Sequence, residues 1–187
     1  MAYAVGVVSQ YMQSPKESND GAIKHILRYL RGTMGYEIKY ERKGQIRLIS
    51  YSDSSHNVDP DDGKSTTGHI FYYRSSPITC CSQKQDTVAL SSAEAEFMKA
   101  TETAYQAIWL QNFLVETMNK VQEKLVLRVD NKSAIKLTNN LVFHGKMEVE
   151  YIPGEEQRAD NLTKPLARTK FKEMRSLTGI EDVSRRT

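Results

Sequence analysis

The sequence predicts an α/β domain: a mixed sheet with helices on its faces. Three observations predict it. Strand-like runs follow one another through residues 36–83 with no helix between them, which favours an antiparallel meander. A long helical stretch from Ser91 to Met118 follows, then strand, short helix, strand and helix, the order of parallel strands joined by crossovers. Two runs far apart, "RLISYSDS" (47–54) and "LRVDNKSA" (127–134), share one shape, an apolar strand ending in an acid, Asp53 or Asp130.

Taken in order, residues 1–13 read as a helix that Ser14 and Pro15 end. A second helix covers "ESNDGAIKHILRYLRG", with Asn19 or Asp20 as N-cap and Gly32 as stop. Ile23, Ile26, Leu27 and Leu30 recur at i, i+3, i+4, i+7 and form one stripe. His25 lies off it and is read as a surface residue, not a ligand. The period then shortens. "GYEIKYE" and "QIRLISYSD" read as strands joined through Lys43-Gly44, and "HIFYYR" and "PITCCSQ" as two more around Ser75-Ser76. "DPDDGKSTTG" is a turn-rich loop. Ser91 or Ser92 caps the long helix, and Trp109 with Ile108 and Leu110 is assigned to the core. "KLVLRVD" is a strand, "NKSAIKLT" a short helix and "MEVEYIP" a strand. "EEQRADNLTK" reads as a helix interrupted by Pro165, "TKFKEMRSLTG" as the last helix, and "EDVSRRT" as a frayed tail.

Composition sets bounds. The 187 residues suffice for one domain with a core, and 39% hydrophobic with 26% charged residues is a globular balance. No apolar run approaches the ~20 residues a membrane span needs. The N-terminus has no basic region ahead of its apolar part, unlike a signal peptide. The two cysteines, Cys80 and Cys81, are adjacent, a poor geometry for a mutual bridge and too few ligands for a four-ligand zinc site. The expectation is a reduced, intracellular compartment. Net charge is +3, and residues 1–44 carry the surplus, with 7 Lys/Arg against 4 Asp/Glu. So small an excess does not define a polyanion-binding surface.

The acids say more. In sheets with parallel strands, ligands gather beyond the carboxyl ends of strands. Asp53 and Asp130 occupy such ends, and on neighbouring strands their carboxylates converge. Two bare carboxylates repel; a divalent cation with a preference for hard oxygen ligands, such as Mg²⁺, removes the conflict. Glu94 and Glu96 sit in the first turns of the long helix, where acids also oppose the helix dipole, so one of the two has a purely structural reading. Asp160 follows the last strand. Asp53 has a competing role at the head of its loop, and Asp130 as N-cap of the helix beginning near Lys132.

The contexts around these acids resemble the ribonuclease H domain of copia-type (Ty1/copia) long-terminal-repeat retrotransposon Pol polyproteins. The matching stretches are "YSDS", "DDGKSTTGHIF", "CCSQKQDTVALSSAEAEF", "QAIWLQNFL", "VDNKSAIKLTNNLVFHGK" and "EYIPGEEQRADNLTKPL". The resemblance implies a ribonuclease H-like mixed five-stranded sheet over residues 45–166. Residues 1–44 would be the end of the reverse transcriptase connection, and 167–187 a C-terminal helix and tail. It carries over four catalytic, metal-binding acids: Asp53, Glu96 (with Glu94 as the alternative), Asp130 and Asp160. It implies hydrolysis of the RNA strand of RNA–DNA hybrids, with two Mg²⁺ ions, or Mn²⁺ in their place, about 4 Å apart. Gln83, Asn131, Lys132 and Ser133 are the candidates for nucleic-acid contacts that read 2′-hydroxyls. The implied partners are the hybrid and an upstream reverse transcriptase domain in the parent polyprotein, with no membrane; the implied location is a cytoplasmic retrotransposon particle.

One departure stands out. The resemblance implies a helical stretch of about twenty residues between "FHGK" and the "EYIP" strand, but His144-Gly145-Lys146 runs almost directly into "MEVEYIP". One helix is missing; the crossover from Asp130 to Met147 can still close the sheet with the helix at 132–139 alone, at the cost of exposed apolar surface. His144 is read as a loop residue beside the deletion. A truncated, catalytically inactive remnant that keeps the fold or weak nucleic-acid binding is therefore the alternative function.

Overall fold

The computed structural model describes residues 1–40, 42, 46–55, 59, 61–119, 124–138, 145 and 147–184. Its helices are α1 (Ala2–Ser9), α2 (Glu17–Arg31), α3 (Ser92–Met118), α4 (Lys132–Thr138) and α5 (Arg168–Leu177). Its strands are β1 (Tyr36–Ile38), β2 (Leu48–Ser55), β3 (Thr66–Tyr73), β4 (Ser76–Lys84), β5 (Leu125–Val129), β6 (Met147–Tyr151) and β7 (Ile180–Asp182).

Five strands form a mixed sheet in the order β4-β3-β2-β5-β6. β2, β3 and β4 are the antiparallel meander; β5 joins β2 in parallel and β6 joins β5 in parallel. This is the mixed α/β sheet with helices on its faces that the element order predicts, with the five strands that the resemblance implies. The β3–β4 turn is tight enough to hold Arg74 at φ 57°.

Alternation along the strands sorts the core into two layers. Leu48, Phe71 and Leu125 meet Ala107, Leu110 and Leu114 of α3, while Leu127 and Val129 meet Ala100. On the other face Tyr51, Ile70 and Tyr72 pack with Ile152, Ala159 and Leu162 from the segment after β6, and Ala2 of α1 joins them. The backbones of α3 approach the sheet through alanines, so the helix lies close to β2 and its first turn reaches the strand ends.

Several expectations are corrected. β1 does not form a hairpin with β2; it pairs antiparallel with β7, Tyr36 opposite Asp182, so Glu181 and Asp182 of the tail are ordered by a long-range partner. The junction Lys43-Gly44 lies outside the described residues, as do His144, Lys146 and 185–187. α2 starts at Glu17 with Lys16 as N-cap, ahead of Asn19 and Asp20. The first helix stops at Ser9. "EEQRADNLTK" is not an α-helix but two single turns, Gly154–Glu156 and Asp160–Leu162. Its helix-favouring residues yield to anchors on the sheet, among them Ser82 Oγ donating to Leu162 O at 2.5 Å. Trp109 is 63% exposed and stacks on Phe113; the core positions beside it belong to Leu110 and, in part, Ile108. The parallel crossover closes with α4 as its described helix: β6 pairs with β5 over five residues.

Candidate metal centre

Each acid is delivered by an element with a local reason to end there. Tyr51 of β2 stands opposite Arg128 of β5, so Asp53 and Asp130, two residues further on, are level on adjacent strands. Alternation puts both on the face opposite α3. Gly68 of β3 is the register partner of Asp53. A Cβ there would stand 2.6 Å from Leu162 Cβ and 2.8 Å from Thr163 Cγ2, so the missing side chain lets the 160–163 turn rest beside Asp53.

The long helix supplies the third acid. Ser91 Oγ accepts from Glu94 N at 3.1 Å, and Glu94 Oε2 accepts from Leu90 N at 2.6 Å, a reciprocal cap. Glu94 is thus the structural acid. Glu96 instead lies buried, its Oε1 accepting from Ser54 N at 2.9 Å and Ser54 Oγ at 3.1 Å. At β5, Asn131 Oδ1 accepts from Ser133 N and Ala134 N at 2.9 and 3.2 Å. Asn131 caps α4, which leaves the Asp130 carboxylate free of that duty.

The structure brings Asp53, Glu96 and Asp130 together: each offers an oxygen, and the three lie within 4.8 Å of one another. Asp160 is beside them but outside that set. It is buried and its Oδ1 pairs with Lys164 Nζ, which also stands 4.0 Å from Asp53 Oδ2. Two further groups frame the pocket: Thr163 Oγ1 donates to Asp53 Oδ2, and buried Gln157 donates to Ser52 O at 2.8 Å and to Asp130. Lys164, Thr163 and Gln157 were not singled out from sequence. Their signal was available: "QRADNLTK" places Thr163 and Lys164 three and four residues after Asp160, one turn on.

The electrostatics record crowded acid. Burial pushes Glu96 up to about 8, helped by the charges of Asp53 and Asp130 and opposed by the bonds from Ser54. Burial likewise lifts Asp53 to about 6, with Lys164 and Thr163 pulling down and Asp160 and Asp130 pushing up. Asp130 is raised for the same first reason. Glu96 Oε2 is buried and has no hydrogen-bond partner among the described residues. An orphaned carboxylate oxygen in a set of three hard donors fits a divalent cation.

The candidate nucleic-acid contacts flank this centre at the same sheet edge. Gln83 is exposed on β4, and its register partner Thr67 is also the partner of Ser54. Lys132 and Ser133 are exposed at the start of α4, Lys132 lying 4.8 Å over the Tyr151 ring, while Asn131 is committed to its cap. On the far side of Glu96, fully buried Lys99 bonds His69 Nδ1 at 2.8 Å, and burial then Lys99 hold His69 down at about 3. This pair is structural and lies outside the carboxylate set.

No protein-family model matches the chain. The Retrovirus-related Pol polyprotein from transposon TNT 1-94 of Nicotiana tabacum is 37% identical over 199 residues, 96% of this chain. That from transposon RE1 of Arabidopsis thaliana is 35% identical over 202 residues, 98% of this chain. The chain spans 15% and 14% of the length of these two polyproteins. Both matched stretches are longer than its 187 residues, so the relatives carry extra residues within them. The secreted RxLR effector protein 161 of Plasmopara viticola is 39% identical over 110 residues, 59% of this chain and 78% of that protein. Among solved structures, the N-terminal RNase H domain of a Mycobacterium tuberculosis protein overlaps 71% of this chain and 96% of that one, with a TM-score of 0.46 and 12% identity. With Pol polyproteins aligned along nearly its whole length, the chain belongs to the copia-type retrotransposon Pol family.

Proposed function

We propose that this domain hydrolyses the RNA strand of RNA–DNA hybrids by two-metal phosphodiester cleavage, during reverse transcription of a copia-type element. The observation that carries the reading is the convergence of Asp53, Glu96 and Asp130 at one sheet edge, with Asp160 alongside. These four acids would hold two Mg²⁺ ions, or Mn²⁺ in their place. Bound, the ions supply a water of lowered pKa and countercharge for the departing 3′ oxygen. The chain's own residues fix where that chemistry happens. Ser54 holds one Glu96 oxygen and leaves the other buried without a hydrogen-bond partner among the described residues. Thr163 orients the Asp53 carboxylate, and Gln157 ties Asp130 to the β2 backbone. Gln83 on one flank and Asn131, Lys132 and Ser133 on the other are positioned to contact the hybrid and read its 2′-hydroxyls. The working setting is the cytoplasmic particle of the element, beside an upstream reverse transcriptase domain. Among the described residues no helix is long and apolar enough to cross a membrane.

A second reading, a catalytically inactive remnant, is favoured by the extra residues its relatives carry. One assay separates them. Purified protein is incubated with labelled RNA–DNA hybrid and Mg²⁺, beside Asp53→Asn and Asp130→Asn. Cleavage that both substitutions abolish is the expected result. Intact hybrid with a folded wild-type protein would establish the remnant.

A further inference from the structure

We propose that Lys164 is a built-in counter-ion that occupies the place of one of the two cations, so that the centre binds its ions unequally. The inference rests on the metal-site reading above. The four acids divide into two groups. Asp53, Glu96 and Asp130 form a compact set that Lys164 approaches only to 4.0 Å, at Asp53. Asp160 has its carboxylate against the Lys164 ammonium, which stands 4.0 Å from Asp53 Oδ2 and feels the charge of Asp130 without an ion-pair contact to it. A cation held by the first three acids need not break the short Lys164–Asp160 contact. A cation that needs Asp53 and Asp160 meets a positive charge already in place.

The side chain is suited to leave. Lys164 is 42% exposed, whereas Asp53 and Asp160 beside it are buried. It is tethered one turn from Asp160, and Thr163 remains on Asp53 when it swings out. A lysine ammonium is a compact, monovalent charge on a flexible stem, so a divalent ion can displace it. The first ion therefore binds the triad directly, and the second binds only by expelling Lys164.

The test is binding, without nucleic acid. Mn²⁺ is titrated into wild-type protein and followed by electron paramagnetic resonance, and Mg²⁺ by calorimetry. Wild type is expected to take one ion, then a second at least about tenfold more weakly, the mark of a like charge a few ångströms away. Lys164→Met should bring the second affinity close to the first, and Lys164→Arg should keep the gap. Metal-free Lys164→Met should unfold at a lower temperature than wild type, a difference that saturating Mg²⁺ closes. Two equal ions on wild type, or a Met variant whose second affinity is unchanged, overturns the proposal; the wild-type titration decides even if the variant does not fold. The nuclease reading fails differently, when Asp53→Asn binds ions as wild type does or the hybrid stays intact.

Discussion

Helices α2 and α3 make opposite use of apolar residues. α2 has the cleaner stripe, yet among its 15 residues none is buried, and Ile23, Leu27 and Leu30 are 44%, 59% and 43% exposed. α3 shows little sidedness in sequence, yet nine of its residues are buried, including Glu96, Lys99 and Thr103. On α3 the large aromatics Tyr105, Trp109 and Phe113 face out while Ala100, Ala104 and Ala107 face in. Amphipathic spacing says that a face wants cover. It does not say that this chain supplies it, and close packing selects small residues over large ones.

Substitutions along α3 should therefore be felt and those along α2 should not. The largest effect is expected at the helix start: Glu96→Gln should lower hybrid cleavage beyond the ~100-fold that a supporting residue commands, with circular dichroism unchanged. Leu114→Ala, inside the α3 core, should cost about 2–5 kcal/mol in urea unfolding. Gly68→Ala should cost about 1–3 kcal/mol, because its Cβ must push the 160–163 turn off the sheet, and cleavage should fall with it. Leu27→Ala on α2 should stay within about 0.5 kcal/mol; a larger loss would mean that the exposed stripe is covered in solution.

The same contrast extends to pH. Glu96 and Asp53 titrate higher in the folded chain than as free carboxyls, so the folded state holds more protons between pH 4.5 and about 8. Stability of the metal-free protein should fall as pH rises through that window, since the unfolded chain ionises first. Each 1 kcal/mol lost should lower the melting temperature by about 2–4 °C. Mg²⁺ should flatten the dependence; a metal-free protein equally stable at pH 5 and 8 would contradict the burial of these acids.

Much of the sheet was legible because β2, β3 and β4 are strand-like runs bounded by turn residues and β5 ends in a marked acid. Choosing between paired candidates was not. Glu94 and Glu96 both fit the first turns of α3, and only the hydrogen bonds to Leu90 and Ser54 separate cap from centre. Asp130 and Asn131 both fit the start of α4, and the amide oxygen takes the cap. The 154–162 segment has helix-forming composition but is held by contacts to Ser52 and Ser82, which are more than seventy residues away. The place of Lys164 one turn after Asp160 was legible, but its role was not, because a lysine acquires meaning from the carboxylates that the fold sets around it.

The pairing of β1 with β7 makes the two extremities of the chain depend on each other. Trimming the protein to its five-stranded sheet from either side would leave the remaining short strand with bare amides and carbonyls, an edge available to any extended peptide. Fragments prepared for study should keep both strands or remove both, because a one-sided cut adds an adhesive border to those that β4 and β6 already form.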